Sequence, residues 1–199
     1  MPVLYRKYRP RSFDEIVGQK HIVTTLKNAI KTGDISHAYL FSGPRGTGKT
    51  TMARVFTKTL NCISSETKDS ACLECVICDQ MDKGNFIDLI EIDAASNRGI
   101  DDIRELKEAV RVSPSFGDYK VYLVDEAHML TKEASNALLK MLEEPPAHVI
   151  FILATTEPHK LLSTIISRTQ HFDFRFLNSE EIKIKLQNIL KSEIGRAHV

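Results

Sequence analysis

Residues 39–51 read Tyr39-Leu40-Phe41-Ser42-Gly43-Pro44-Arg45-Gly46-Thr47-Gly48-Lys49-Thr50-Thr51. The stretch contains the pattern G-x4-G-K-[S/T] directly after a short apolar run, and that pattern is a phosphate-binding loop, or P-loop. Its backbone N–H groups must turn inward around a phosphate chain, which requires glycine wherever a Cβ would block a positive φ or a close approach. Lys49 adds a point charge for the β- and γ-phosphates, and the hydroxyl of Thr50 can bind Mg²⁺.

The surroundings of the loop favour this interpretation over a chance run of glycines. Residues 37–41 read as a strand and residues 52–60 as a helix, whose first turn near Lys49 would offer unpaired N–H groups to an anion. We therefore predict a nucleotide site whose loop residues are Gly43, Pro44, Arg45, Gly46, Thr47, Gly48, Lys49, Thr50 and Thr51.

The composition limits the possible classes of protein. The chain has 199 residues, of which 42% are hydrophobic, enough for one domain and the start of another. Its 27 Lys and Arg against 26 Asp and Glu give a net charge of +1, so any DNA contact must come from a local patch. The sequence contains neither an apolar run as long as a membrane span nor the apolar core of a signal peptide. We expect a cytoplasmic protein with no membrane partner.

All four cysteines fall within one short segment, at Cys62, Cys72, Cys75 and Cys78. This spacing is typical of a closed tetrahedral zinc site, in which four thiolates leave no open position for water, so the Zn²⁺ would be structural. An iron–sulfur cluster and unrelated free cysteines are the alternatives. Disulfides do not fit a cytosolic chain.

Two acidic residues follow a second apolar strand, which reads Lys120-Val121-Tyr122-Leu123-Val124. In P-loop enzymes an aspartate in the place of Asp125 holds Mg²⁺, and a glutamate in the place of Glu126 polarises the attacking water. Acids often end strands, so the pattern gains its weight from the P-loop upstream. The letters Asp-Glu-Ala-His also occur in helicases, but the further arginine-rich motifs of those enzymes are absent from this sequence.

Further strands are predicted at residues 88–93, 149–154 and 170–176, with helices between them. The strand at 149–154 is the most apolar, which indicates that both of its faces are covered. Thr155 and Thr156 follow it, at the edge of a parallel sheet where ligands bind. A hydroxyl there could orient water against the γ-phosphate, or it could cap an ordinary turn.

Basic residues occur at several places outside the P-loop. The amino-terminal arm interleaves Arg6, Lys7, Arg9 and Arg11 with Tyr5 and Tyr8, and it could touch a nucleotide or be a solvated arm. Lys140 lies off the apolar face of a helix capped by Thr131, where plain solvation is the alternative to a functional role.

The carboxyl-terminal part begins a second unit. Arg168 follows a short helix at residues 163–167, and Asn178 with Glu181 reads as the capping box of a further helix. That helix, at residues 178–193, is expected to open a second domain. Residues 194–199 look like a sequencing adapter translated in frame, and we expect them to be foreign to a truncated protein.

These motifs together resemble the AAA+ clamp loaders of DNA replication. The resemblance covers the chain from about residue 5 to 192, and the cysteine segment after the P-loop helix is its discriminating feature. It implies an α/β AAA+ P-loop NTPase fold, with a five-stranded parallel sheet flanked by helices. The AAA+ domain would span residues 1–177 with a zinc-binding insertion at 62–78, and a small helical lid domain would start at 178.

The resemblance also implies roles for matching positions. Lys49 and Thr50 would be Walker A residues, Asp125 and Glu126 the Walker B residues, and Thr156 the sensor 1 residue. Arg168 would be the arginine finger of a Ser-Arg-Cys motif, whose third residue is here Thr169. ATP would be bound with Mg²⁺, and the predicted nucleotide contacts outside the loop are Tyr8, Arg9 and Val17.

The function implied is ATP hydrolysis that opens a sliding clamp and loads it onto primed DNA, by one of several clamp-loader subunits in a hetero-oligomeric ring. The chain itself would not polymerise DNA. The predicted DNA contacts are Arg98, Arg104 and Lys140. Two alternatives stay open: another AAA+ DNA remodeller such as a branch-migration motor, and a nucleotide-binding scaffold subunit that does not hydrolyse ATP. Intact Lys49, Thr50 and Glu126 argue against the scaffold.

Overall fold

The computed structural model describes residues 4–64, 69–96 and 106–194. Its centre is a sheet of five parallel strands in the order β2-β3-β4-β1-β5. The strands are β1 (Ala38–Ser42), β2 (Leu89–Asp93), β3 (Lys120–Asp125), β4 (Val149–Thr155) and β5 (Gln170–Asp173). This architecture confirms the predicted α/β fold with a five-stranded parallel sheet.

Helices connect the strands and cover the sheet. They are α1 (Leu4–Lys7), α2 (Lys20–Thr32), α3 (Lys49–Asn61), α4 (Val76–Lys83), α5 (Lys132–Glu143), α6 (Ser163–Ile166) and α7 (Ser179–Ile194). Residues 106–110 are also helical. Short 3₁₀ helices lie at Phe13–Glu15, Ala127–Met129 and Pro158–Lys160. None of the helices within the described ranges is long and apolar enough to cross a membrane.

The predicted helix caps are present in the structure. The hydroxyl oxygen of Thr131 accepts a hydrogen bond from the Ala134 N–H at 3.2 Å. Asn178 and Glu181 form a reciprocal capping box, in which each side chain accepts the other residue's backbone N–H at 2.9 Å. These contacts satisfy N–H groups that the first helical turn leaves without partners.

The core consists of two apolar layers, one on each face of the sheet. Side chains from α2 and α3 pack on one face, and side chains from α5 and residues 106–110 pack on the other. All seven residues of β4 are buried, as its apolar sequence predicted, because this central strand is covered on both faces.

The last strand is shorter than predicted. The sequence indicated a strand at residues 170–176, but β5 ends at Asp173. Its partner β1 ends at Ser42, where Gly43 turns out of the sheet with φ of 138°. The N–H of Phe174 still donates to the Ser42 carbonyl at 2.7 Å, but beyond it the ladder has no partner strand and Phe176 is exposed.

The parallel register gathers the polar ends of three strands at one edge. Ser42 of β1 lies opposite Thr155 of β4, and the Gly43 N–H donates to the Thr155 carbonyl at 3.2 Å. On the other side of β4, Val124 of β3 lies opposite Leu153. The P-loop, the acids after β3 and the threonines after β4 therefore meet, as expected for the carboxyl edge of a parallel sheet.

Gly43→Ala should lower the free energy of unfolding by about 3 kcal/mol or more. A Cβ at this position would lie only 2.3 Å from the backbone oxygen of Phe174, which cannot rotate away. Gly46→Ala is the matched control, since Gly46 also has a positive φ but its Cβ would meet nothing within 4 Å. We expect the control to cost about 1 kcal/mol. Urea unfolding measures both, and equal losses would contradict the steric argument.

Candidate nucleotide site and cysteine cluster

The P-loop joins β1 to α3 and turns on its three glycines. Gly43, Gly46 and Gly48 have φ values of 138°, 82° and 97°, which side chains with a Cβ rarely adopt. The Thr47 hydroxyl donates to the Pro44 carbonyl at 2.9 Å and stabilises the turn. Because α3 begins at Lys49, its unpaired N–H groups and positive dipole end lie at the loop. The geometry is that of an anion site.

The ammonium group of Lys49 is buried within the loop, and the residue is only 7% exposed. Its Nζ donates to the Gly43 carbonyl at 2.8 Å and to the Pro44 carbonyl at 3.0 Å. Burial lowers the pKa of Lys49, and the carboxylates of Glu126 and Asp125 oppose this shift. Phosphate oxygens would offer this cation charged acceptors in place of neutral carbonyls, which makes stronger hydrogen bonds.

Thr50 and Asp125 form the second part of the site. The Thr50 hydroxyl donates to Asp125 Oδ2 at 2.8 Å, and Asp125 Oδ1 accepts the backbone N–H of Glu126 at 3.0 Å. A hydroxyl and a carboxylate in contact offer the oxygen ligands that Mg²⁺ prefers. The residues therefore fit the metal that the sequence predicted beside the phosphates.

Glu126 and Thr156 are joined by a hydrogen bond across the sheet edge. The Thr156 hydroxyl donates to Glu126 Oε2 at 3.2 Å. Glu126 adopts the left-handed region, with φ of 48°, which turns the chain directly after β3. The turn-capping role that the sequence left open for these threonines falls to Thr155, whose hydroxyl oxygen accepts the Glu157 N–H at 3.0 Å.

His128 is the residue of this site that the sequence analysis missed. Its side chain is 7% exposed, and its Nδ1 lies 2.9 Å from Thr155 Oγ1. The sequence signal for it lies in the letters Asp-Glu-Ala-His, which also occur in helicases. A histidine on the 3₁₀ helix after β3 reaches β4 only because the two strands are neighbours in the sheet.

The amino-terminal arm contacts other elements of the protein. Lys7 Nζ and the Tyr8 hydroxyl both contact Glu193 on α7. Lys7 Nζ also lies 5.3 Å from the centroid of the Tyr8 ring, a cation–π distance. Arg9 and Val17 are partly buried. The arm is therefore held against the last helix and is not simply solvated, while the nucleotide contacts of Tyr8, Arg9 and Val17 stay a prediction.

The four cysteines converge, and their Sγ atoms all lie within 4.8 Å of one another. Sγ–Sγ distances are 4.0 Å for Cys62 to Cys75 and 3.9 Å for Cys78 to both Cys72 and Cys62. A tetrahedral ion with metal–sulfur bonds of about 2.3 Å separates its thiolates by about 3.8 Å. The cluster fits a single Zn²⁺ closely, whereas an iron–sulfur cluster of several irons needs more widely spaced thiolates. Unrelated free cysteines would not converge in this way.

Backbone N–H groups favour thiolates in part of this cluster. The Cys72 N–H donates to Cys62 Sγ, and the Cys75 N–H donates to Cys72 Sγ, each at 3.3 Å. Such bonds, led by the one from Glu74, lower the pKa of the Cys72 thiol to about 6. Burial raises the pKa of the Cys62 and Cys78 thiols, so a bound cation would have to favour their ionised forms.

Ion pairs of Asp82 connect the cysteine segment to α3 and to the amino-terminal arm. Asp82 lies on α4, one turn after Cys78, and its carboxylate pairs with Lys58 of α3 and with Arg11 of the arm. Lys58 is only 3% exposed, so this is a buried cation that depends on its partner. The segment that carries the cysteines is thus tied both to the P-loop helix and to the arm.

Arg168 lies at the surface, after α6. Its Nη1 donates to the Thr164 carbonyl at 2.9 Å, and its Nη2 lies 3.1 Å from Glu143 Oε1 at the end of α5. Lys140 is exposed on α5. The other predicted DNA contacts, Arg98 and Arg104, lie outside the described residues.

Comparisons with known proteins agree with the fold and the site. A family model described as "DNA polymerase III, delta subunit" matches residues 18–178. DNA polymerase III subunit tau of Bacillus subtilis is 54% identical over 96% of this chain and 34% of its own length. The corresponding subunit of Escherichia coli is 50% identical, over 96% of this chain and 30% of its own length.

Solved structures show the same architecture. A DNA polymerase III gamma subunit-related protein of Thermotoga maritima has a TM-score of 0.60 and 27% identity, over 79% of this chain and 47% of its own. The RuvB Holliday junction branch migration motor of that organism has a TM-score of 0.65 and 20% identity, over 90% of this chain and 53% of its own. The RuvB likeness shows the fold alone.

The matched region contains the whole sheet, the P-loop, the acids after β3 and the cysteines. The chain spans about a third of the length of the tau subunits it matches. Family model and relatives both point to DNA polymerase III, as the resemblance to clamp loaders predicted. The chain therefore belongs to the family of DNA polymerase III subunits that this model describes, and it is similar in sequence to tau and gamma subunits of that polymerase.

Proposed function

We propose that the chain is an ATP-hydrolysing motor subunit of a clamp loader, which opens a sliding clamp and loads it onto primed DNA. The observation that carries the proposal is the convergence of the P-loop with two linked pairs, Thr50 with Asp125 and Thr156 with Glu126, at one sheet edge. The proposed partners are the other clamp-loader subunits, the sliding clamp and primed DNA. They are part of the proposal because the chain spans only part of the length of the relatives that suggest them.

Each side chain has a distinct task in the proposed reaction. Lys49 and the loop N–H groups bind the β- and γ-phosphates of ATP, and Thr50 with Asp125 would hold Mg²⁺. When bound, this metal neutralises charge on the phosphate oxygens. Glu126 accepts a hydrogen bond from the attacking water and draws away its proton, while Thr156 orients the carboxylate.

The two alternatives receive less support. A scaffold that does not hydrolyse ATP has no need for a glutamate held by a threonine beside the P-loop, yet Glu126 and Thr156 are in contact. A branch-migration motor shares the fold at 20% identity, whereas the DNA polymerase III subunits reach 54%. Phosphate contacts by Arg98, Arg104 and Lys140, and a cytoplasmic location, remain parts of the proposal that rest on the sequence.

Lys49→Ala should abolish ATP binding, whereas Glu126→Gln should keep binding and lose turnover. Lys49 meets phosphate in the ground state, while Glu126 acts only on the attacking water. Binding of a fluorescent ATP analogue and steady-state hydrolysis by the full-length protein separate the two effects. Thr47→Val, which removes only a hydroxyl within the turn, is a milder control. Equal loss of binding in both variants would contradict this division of tasks.

The cysteine cluster should hold one Zn²⁺ per chain, which elemental analysis can count. Cys78→Ser should release the metal and lower the free energy of unfolding by roughly 3 kcal/mol or more, because four thiolates bind it with no open position. Hydrolysis by protein that remains folded should persist, since the cluster contributes no group to the phosphates. Asp79→Asn on the same helix is the control, as its ion pair with Lys83 is exposed and contributes little. Finding iron, or no stoichiometric metal, would reject the site.

Arg168 should act on the nucleotide of a neighbouring subunit. Trans-acting arginine fingers raise the rate of hydrolysis by a factor of roughly 10³ to 10⁵. A surface ion pair, the alternative role for this arginine, contributes at most about 1 kcal/mol to stability. In an assembled loader Arg168→Ala should therefore remove most DNA-stimulated hydrolysis and leave each subunit's ATP binding intact. Glu143→Gln is the control, because it removes the ion pair and keeps the arginine.

Mixed assemblies test the geometry of this finger. A Lys49→Ala subunit that keeps Arg168 is combined with an Arg168→Ala subunit that keeps its P-loop. Orders that place the intact arginine against the intact P-loop should recover hydrolysis. No recovery in any order would mean that Arg168 serves its own site or none.

A further inference from the structure

His128 lies where the acidic end of β3 meets the end of β4. It belongs to the 3₁₀ helix Ala127–Met129, and its ring is almost completely buried. Its Nδ1 lies 2.9 Å from the hydroxyl of Thr155, the last residue of β4, which is 0% exposed. This polar contact joins the 3₁₀ helix that follows Glu126 to the strand that precedes Thr156, yet the proposed reaction assigns His128 no task.

One imidazole ring reaches both ends of a three-residue turn. Thr155, which contacts Nδ1, also accepts the Glu157 N–H at 3.0 Å. The other ring nitrogen, Nε2, lies 3.4 Å from Glu157 Oε1. The residue between them is Thr156, whose hydroxyl donates to Glu126 Oε2. The position of the Thr156 hydroxyl is therefore set by a turn whose two ends both contact His128.

Each nitrogen of the ring lies near a carboxylate. The carboxylates of Glu126 and Glu157 lie 3.6 Å and 3.4 Å from its nitrogens, on either side. Glu157 is itself paired with Lys160 at 2.8 Å and lies 3.7 Å from His159. The Thr155 side chain is buried, and its hydroxyl contacts protein groups, the His128 ring and the Glu157 N–H. Loss of the imidazole would leave the turn with one fewer anchor, and the Thr155 hydroxyl would keep only its bond from the Glu157 N–H.

We infer that His128 is a positioning residue for hydrolysis: it holds the turn at residues 155–157 so that Thr156 stays hydrogen-bonded to Glu126. His128 acts through Thr155 and the turn and does not touch the nucleotide. The inference rests on the proposed ATPase function for its kinetic consequence. Its structural part, the anchoring of the turn, stands without that function.

The kinetic test compares His128→Ala with two matched variants in the full-length protein. His128→Ala should lower the kcat of ATP hydrolysis about tenfold or more, with KM and nucleotide affinity within about threefold. His128→Asn should recover most of the activity, because its amide occupies the position of Nδ1 and can contact Thr155. His159→Ala is the control, since this exposed histidine lies near the same glutamate but belongs to no anchor of the turn.

A second pair of variants tests the route through the turn. Thr155→Val removes the hydroxyl that His128 contacts and should reproduce the fall in kcat. Thr155→Val also removes the acceptor of the Glu157 N–H, so its loss should be at least as large as that of His128→Ala. Because the contact with His128 is already absent in Thr155→Val, the double variant should lose little more than Thr155→Val alone. His128→Ala should also have little further effect in a Thr156→Ala background. Additive losses in these cycles would show that His128 acts elsewhere.

Hydrogen exchange separates this inference from the proposed function. The Glu157 N–H, which is bonded to Thr155, should exchange at least about tenfold faster in His128→Ala than in the unaltered protein, with exchange in β1 unchanged. This measurement requires no hydrolysis. If the unaltered protein shows no ATPase activity but exchange responds as expected, the proposed function fails and the anchoring stands. Unchanged exchange together with an unchanged kcat, or no recovery in His128→Asn, would overturn the inference.

Discussion

The burial of one cation, the ammonium group of Lys49, is the constraint on which the candidate nucleotide site depends. A buried ammonium group is costly unless oxygen atoms surround it. The loop supplies the Gly43 and Pro44 carbonyls, and the acids after β3 supply the negative charge that opposes the loss of its proton. The loop must therefore curl over its own lysine, which only a chain with glycine at the positive-φ positions can do. The glycines let the loop carbonyls reach the ammonium group, and the acids place negative charge near it, so both lower the cost of its burial.

Strand register brings these groups together. β4 lies between β1 and β3, so the P-loop and Asp125 reach each other only across its end. A slip of one residue would exchange the faces of Thr155 and Thr156, because side chains alternate along a strand. Thr155 would lose its buried contact with His128, and Thr156 would lose its hydrogen bond to Glu126. The apolar sequence of β4, buried along its whole length, opposes such a slip and so fixes the polar geometry at its end.

Local patterns predicted much of this molecule, and long-range contacts account for the rest. The P-loop, the strands, the caps of α5 and α7 and the cysteine cluster each follow from residues near in sequence, and the structure has them. The predicted end of β5 was wrong because the length of this strand depends on where its partner β1 ends. The Asp82 ion pairs and the His128 contact were missed because they join elements distant in sequence: the letters Asp-Glu-Ala-His include the histidine but do not indicate its partner Thr155. The predicted roles of Arg168 and Lys140 concern other molecules, which neither the sequence nor the fold of one chain contains.

The P-loop helix α3 is held at both of its ends, by different means. Its first turn belongs to the nucleotide site, and Cys62 directly follows its last residue. A helix of 13 residues places these ends about 20 Å apart. The cysteine cluster and the buried pair of Lys58 with Asp82 therefore act far from the phosphates, while the bonds of Gly43 to Thr155 and of Thr50 to Asp125 fix the near end. Stability of the helix and the proposed chemistry at its start can thus be supplied by separate groups, so the proposed metal site need not take part in the proposed reaction.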